Sequence, residues 1–290
     1  MKYLKNISES LNYNELSEEE FRILLNDHCK NFLSNWENAI EQSLIFRRSK
    51  DIGNLVHLNP KDSSDTRIAR FAKTNYHNLL ISNLESWKGY PRRNKSLICA
   101  NDIRGLNHGG GNTTYLIIPL DGTMVASAST GDFWKSFPNI HDNFRNDDED
   151  LNSWLRELLM SVTSKDTWDK VTKIIDDKNW YNMKTVLEET ELSDIDIEHF
   201  FENYKGVVEY DKSKNLLKNM NNFLSPEKNK FQLLDASDTM KYYTSVYNNI
   251  IDDDGWGYGI ESWIEDPVLM IKFDRYSKDE YYPKIKQFLD

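Results

Sequence analysis

Apolar positions along the chain change their spacing several times, and each change marks an element. Ser17-Glu18-Glu19-Glu20 has capping-box spacing, in which a serine hydroxyl and a glutamate satisfy the orphan amides of a helix start. Phe21, Leu24, Leu25, Phe32, Leu33 and Trp36 then recur on one helical face. The short apolar run SLIFR at 43–47, followed by charge and a glycine, reads as a strand. A second helix is expected over roughly 65–86, with Ile68, Phe71, Ala72, Tyr76, Leu79 and Leu80 on one face, stopped by Gly89 and Pro91. KSLICA, TTYLIIPL and TMVASAS, rich in Val, Ile, Thr, Tyr or Leu and broken by Gly, Asn and Asp, read as strands, the last two joined by the hairpin signal Asp121-Gly122.

From about 145 the period becomes helical. Leu151, Trp154, Leu155, Leu158, Leu159 and Val162 fall at offsets 0, 3, 4, 7, 8 and 11. Similar patterns follow around 166–176, 181–190 and 194–204, and Met240, Tyr243, Tyr247, Ile250 and Ile251 close the section. Strand character returns in ESWIEDPVLMIKFDRY. There is no internal repeat and no low-complexity tract. The pattern predicts an α+β protein of one domain over 1–290, with a mainly helical insertion at about 145–250.

Composition narrows the function more than the fold. With 39% hydrophobic residues and 36 aromatics among 290 residues, the chain can fill a substantial core. A formal charge of −11 argues against duplex nucleic acid as the main ligand, because clustered lysine and arginine dominate that affinity. The N-terminus lacks the apolar core of a signal peptide and no run reaches transmembrane length, so the expectation is a cytoplasmic protein without a membrane partner. Two cysteines, Cys29 and Cys99, form no disulfide framework and fit a reducing compartment. The histidines show no ligand spacing, so no metal site is expected.

Three consecutive glycines, Gly109 to Gly111, invite a phosphate-loop reading. Such a loop joins a strand to a helix, whose N-terminus supplies donors and positive dipole. Here a strand follows, and neither the Gly-Lys-Ser/Thr ending nor the GxGxxG spacing is present. The triplet therefore reads as a flexible connection between strands. In 250–261, Asp252, Asp254, Gly255 and Glu261 hold positions 3, 5, 6 and 12 of a calcium loop, but position 1 is Ile250 and position 8 is Gly257. A solvated acidic turn fits better. The basic stretch at 88–95 could face a phosphate or form a solvated loop.

The order of the strands carries a resemblance. A strand ending in arginine (SLIFRR) comes first, then a helix, then a serine-bearing strand (KSLICA). TYLIIPLDGT follows, and a glutamate two residues before a tryptophan heads the terminal strand (GIESWIEDPVLMIKF). This order resembles ADP-ribosyltransferases of the Arg-Ser-Glu class, including phage-encoded forms, over roughly 40–135 and 255–276. The resemblance implies a mixed β-sheet core of that fold, with NAD as substrate and a macromolecular acceptor such as a host protein. It implies that Arg47 contacts a phosphate or ribose of NAD, for which a planar guanidinium is suited. Ser96 would support the nicotinamide geometry, although the family's Ser-Thr-Ser lies further along, where this chain has Ala100 and Asn101. Glu261 would stabilise the positive charge that builds on the ribose as the glycosidic bond breaks. Gly259 stands where the family often has a glutamate or glutamine that selects the acceptor. Trp134 would stack on a base.

Each of these residues also has a plainer reading. Arg47 and Arg48 fit a strand end facing water, Glu261 an exposed strand residue paired with a lysine, and Trp134 a core side chain. The competing function is a non-enzymatic interaction or virion-associated protein that keeps the fold without the chemistry.

Overall fold

The computed structural model describes residues 12–34, 36, 44–62, 81–101, 111–128, 133, 136–137, 184–185, 187–188, 211, 214–235, 260–273, 283 and 285–288. The chain divides into two compact units. One comprises Met1–Asp65, Tyr90–Asp132 and Gln232–Asp290, and the other Thr66–Gly89 and Phe133–Phe231.

Among the described residues, the first unit is built on nine strands: β1 (Asn12–Glu15), β2 (Ile45–Ser49), β3 (Leu55–Asn59), β4 (Leu97–Ala100), β5 (Thr113–Pro119), β6 (Met124–Ser127), β7 (Gln232–Asp235), β8 (Glu261–Ile264) and β9 (Val268–Phe273). Their order in the sheet is β1-β3-β9-β5-β2-β4-β8-β6-β7. Every described pairing is antiparallel, where a mixed sheet was expected. The α+β class holds.

Two short connections explain this order. Asp121-Gly122 does form a turn, closed by the Thr123 amide donating to Leu120 O at 3.1 Å, with Gly122 at φ 81°. It does not make a hairpin, however, because β5 pairs with β2 and β9 while β6 pairs with β8 and β7. The turn advances four places along the strand order. In a flat sheet that step would span about 19 Å, whereas the ends of such a turn lie within about 7 Å. The sheet must therefore curl over itself. Glu265 to Pro267 does the same between β8 and β9, which pair in separate halves of the sheet. Strands β4, β5, β8 and β9 bury consecutive residues instead of alternating ones, so both of their faces are covered.

Asp121 is used elsewhere. Helix α1 (Glu18–His28) starts with the expected capping box, Ser17 Oγ accepting from the Glu20 amide while Glu20 reaches back to Ser17. It breaks at Cys29 and resumes at Lys30, and the first amides after the break, of Lys30 and Asn31, donate to the Asp121 carboxylate at 2.9 and 3.1 Å. A sequence signal for a hairpin thus serves as a helix cap supplied from a distant turn. Phe21, Leu25, Cys29 and Phe32 enter the core, and Leu24, Leu33 and Trp36 pack at its border, the face the periodicity predicts.

Gly111 also departs from the flexible reading. A Cβ built there would fall inside the Ser49 carbonyl and against the Lys50 amide, so the chain entering β5 lies directly on the end of β2. Gly109 and Gly110 lie outside the described residues.

In the second unit, residues 81–83, inside the helix expected over 65–86, and 184–185 and 187–188, inside that expected at 181–190, are helical, while Ile68, Phe71, Ala72, Tyr76, Leu79 and Leu80 lie outside the described residues. Helix α2 (Leu216–Phe223) begins at Asn215, whose side chain accepts from the Lys218 amide at 2.9 Å. Trp87, Phe133, Phe137 and Phe231 pack with ring centroids 5.0–6.2 Å apart, and Trp87 Nε1 donates to Leu224 O at 2.7 Å. The expected insertion at 145–250 is not helical throughout, because β7 lies within it and joins the sheet of the first unit. The helices expected at 151–162, 166–176, 194–204 and 240–251 lie outside the described residues. Among the described residues, no helix is long and apolar enough to cross a membrane.

Candidate active site on strand β8

Strand β8 organises the site through its period of two. Glu261, Trp263 and Glu265 share one face by alternation, and all three hold the segment Pro91-Arg92-Arg93. Trp263 Nε1 donates to Pro91 O at 2.9 Å. Glu265 accepts from the Arg92 backbone amide and from Arg92 Nε, both at 2.7 Å, and from its NH2 as well. Arg93 NH2 donates to Glu261 Oε1 at 2.6 Å. The Arg93 side chain is only 3% exposed and that of Glu261 14% exposed, so this ion pair is largely withdrawn from water.

The basic stretch is therefore solvated only in part: Lys88 and Arg92 keep exposed side chains, while Arg93 is buried. Arg92 and Arg93 are bound to carboxylates at either end of β8, and the Arg93–Lys95 stretch forms a single 3-10 turn. The signal available in the sequence was the spacing Glu-x-x-x-Glu in ESWIE, matched by two adjacent arginines after a proline. Pairing across some 170 positions could not be read from spacing alone.

Strands β2, β4 and β8 lie side by side. Phe46 pairs with Ala100 and Ala100 with Glu261, so these three share a face. Arg47 is the neighbour of Phe46 and belongs to the opposite face. Its NH1 donates to Ile98 O on β4, and burial lowers its pKa, partly offset by the nearby charges of Cys99 and Glu261. By register Arg47 and Glu261 start from opposite faces of the sheet, yet the Glu261 charge still acts on the Arg47 guanidinium. Arg48, one residue on, shares the face of Glu261.

Ser96 is also placed away from the carboxylate. It precedes β4, whereas Glu261 pairs with Ala100 at the other end. Four residues separate them along the strand, about 13 Å at the usual rise. The Ser96 hydroxyl donates to Arg92 O at 2.8 Å and steadies the 3-10 turn. Asn101 stands beside Glu261 instead, where its amide donates to Ile260 O and its side-chain oxygen accepts from the Ile260 amide. Behind the strand, the buried hydroxyls of Ser127 and Ser262 meet at 2.9 Å. Trp134 lies outside the described residues, as do Asp252, Asp254, Gly255 and Gly259. Cys99 is buried in β4.

The chemistry available here is that of a carboxylate held on a rigid strand by a buried guanidinium, with a second arginine, Arg48, on the same face. Such a group can accept a hydrogen bond from a hydroxyl and stabilise a nearby positive charge. Comparison with known proteins finds no matching family model, no matching curated protein and no matching solved structure.

Proposed function

We propose that this protein is an NAD-dependent ADP-ribosyltransferase acting on a macromolecular target, with Glu261 stabilising the ribosyl cation. The observation that carries the reading is the adjacency of β2, β4 and β8. These are the three strands that bear the arginine, serine and glutamate motifs, and Glu261 lies more than two hundred residues beyond Arg47 and Arg48. In the reaction the bond between ribose C1 and the nicotinamide nitrogen breaks, and nicotinamide leaves with the electron pair. The acceptor's nucleophilic atom bonds to C1 and releases its proton to solvent. Glu261 offsets the charge that develops on the ribose, and Arg48, on the same face, is the better candidate than Arg47 for a phosphate oxygen of NAD.

A second reading, a binding protein that keeps the fold without the chemistry, is favoured by one specific observation. Arg93 already engages Glu261, and the Ser96 hydroxyl is committed to a backbone carbonyl. One experiment separates the two. Incubation with adenylate-labelled NAD and a cell lysate should label protein with wild type and almost none with Glu261→Gln, a loss of about a hundredfold or more. Equal labelling by both proteins removes Glu261 from the mechanism. Neither labelling nor nicotinamide release by wild type leaves the binding protein as the better description.

A further inference from the structure

We propose that Arg93 is the positioning residue for Glu261, an assignment that rests on the enzymatic reading above. The backbone around Arg93 is fixed from several directions. Pro91 O is held by the Trp263 indole, and the Arg92 amide and side chain are held by Glu265. Arg92 O receives the Ser96 hydroxyl and, at 2.9 Å, the Lys95 amide of the 3-10 turn. The side chains of β8 thus grip the 91–93 segment, and that segment returns one guanidinium to the first residue of the same strand. The result is a closed circuit in which Glu261 is oriented by a partner that its own strand holds in place.

The role is geometric. A cation at 2.6 Å subtracts from the negative field that Glu261 presents to a developing ribosyl cation. Arg93 therefore cannot help by charge at the reacting carbon. It helps by fixing the direction of the carboxylate, so that no reorganisation is needed when positive charge appears. Misplacing a reacting group by about 1 Å can cost on the order of a hundredfold in rate. Lysine in this position would keep the charge but lose the planar guanidinium that sets the angle.

The test is a double-mutant cycle on nicotinamide release from NAD, with each variant's folded fraction checked by thermal melt. Arg93→Gln should lower kcat about a hundredfold and Arg93→Lys about tenfold, both with KM within about twofold of wild type. In a Glu261→Gln background, Arg93→Gln should change nothing further, because a residue that acts through Glu261 has nothing left to orient. Should Arg93→Gln fail to fold, the kcat and KM of Arg93→Lys carry the test. Wild-type kcat in a folded Arg93 variant, or losses that multiply in the double variant, would overturn the positioning role while leaving the enzymatic reading intact. A wild-type protein that releases no nicotinamide removes the enzymatic reading itself, and this role with it.

Discussion

Gly111→Ala tests the packing of β5 against β2 by the sign of its effect. In an open connection, alanine would be neutral or stabilise by about 0.4–1 kcal/mol, because it restricts the unfolded chain. The structure predicts the opposite. A methyl at Gly111 would overlap the Ser49 carbonyl and the Lys50 amide, both backbone, so no side-chain rotation relieves it. The chain must instead draw away from β2, at the cost of the nearest rungs, Ser49 with Thr113 and Arg48 with Thr114. Strain from overpacking is about 1–3 kcal/mol. Two weakened rungs at about 1 kcal/mol each bring the cost to about 3–5 kcal/mol. Subtracting the unfolded-state gain leaves about 2–4 kcal/mol, a large share of a typical stability of about 5–15 kcal/mol. With a slope of about 3 kcal/mol per molar, the urea midpoint should fall by about 1 M. Gly122→Ala provides the scale, since φ is +81° there but nothing lies near the new methyl. Its cost should stay near 1 kcal/mol. A midpoint for Gly111→Ala at or above wild type would refute the close approach.

Two further outcomes follow from the same unit. Asp121→Ala removes the acceptor for the Lys30 and Asn31 amides and should destabilise by about 1–2 kcal/mol in urea titration, while an unchanged midpoint would show that water caps that helix equally well. Burial, then the Asp121 charge, pushes the Cys29 thiol up to about 12 from an ordinary 9.0. Burial, then the nearby Asp51, likewise raises the Tyr115 hydroxyl to about 12 from 10.0 against the opposing bond from the Ile52 amide. Both groups ionise more easily unfolded, so their stabilising contribution is complete below about pH 9 and is lost as pH rises toward about 12. The urea midpoint should fall across that window and Cys29 should resist a disulfide reagent at pH 8; a flat midpoint or rapid native reaction would contradict the burial.

Much of the local structure was legible because it depends on neighbours in sequence. The capping box at Ser17, the apolar face of α1 and the strands at 45–49, 97–100, 113–119 and 124–127 are all short-range patterns. Strands β1, β3 and β7 escaped notice: NYNE and QLLD carry little apolar alternation and take strand form from edge pairing with β3 and β6, while LVHLN is a five-residue segment held between β1 and β9. The motif order singled out β2, β4 and β8, and these strands are neighbours in the sheet.

Sequence alone could not decide which residue on those strands faces the site. A strand's side chains alternate, so a difference of one position exchanges Arg47 for Arg48, and only the pairing of Phe46 with Ala100 and Ala100 with Glu261 sets that phase. The same holds for the turn at 121–122. Asp-Gly specifies a reversal of the chain, but whether the flanking strands pair depends on competitors elsewhere, and β9 and β8 take those places. Arg93 and Glu261 stand 168 positions apart, too far for spacing to mark the pair. Composition and periodicity determined α1, the apolar strands and the candidate motifs, because backbone propensity and local burial act over a few residues. Pairing across the sheet decided phase, neighbours and the partner of the carboxylate, because those depend on which distant strands win the same hydrogen-bonding edge.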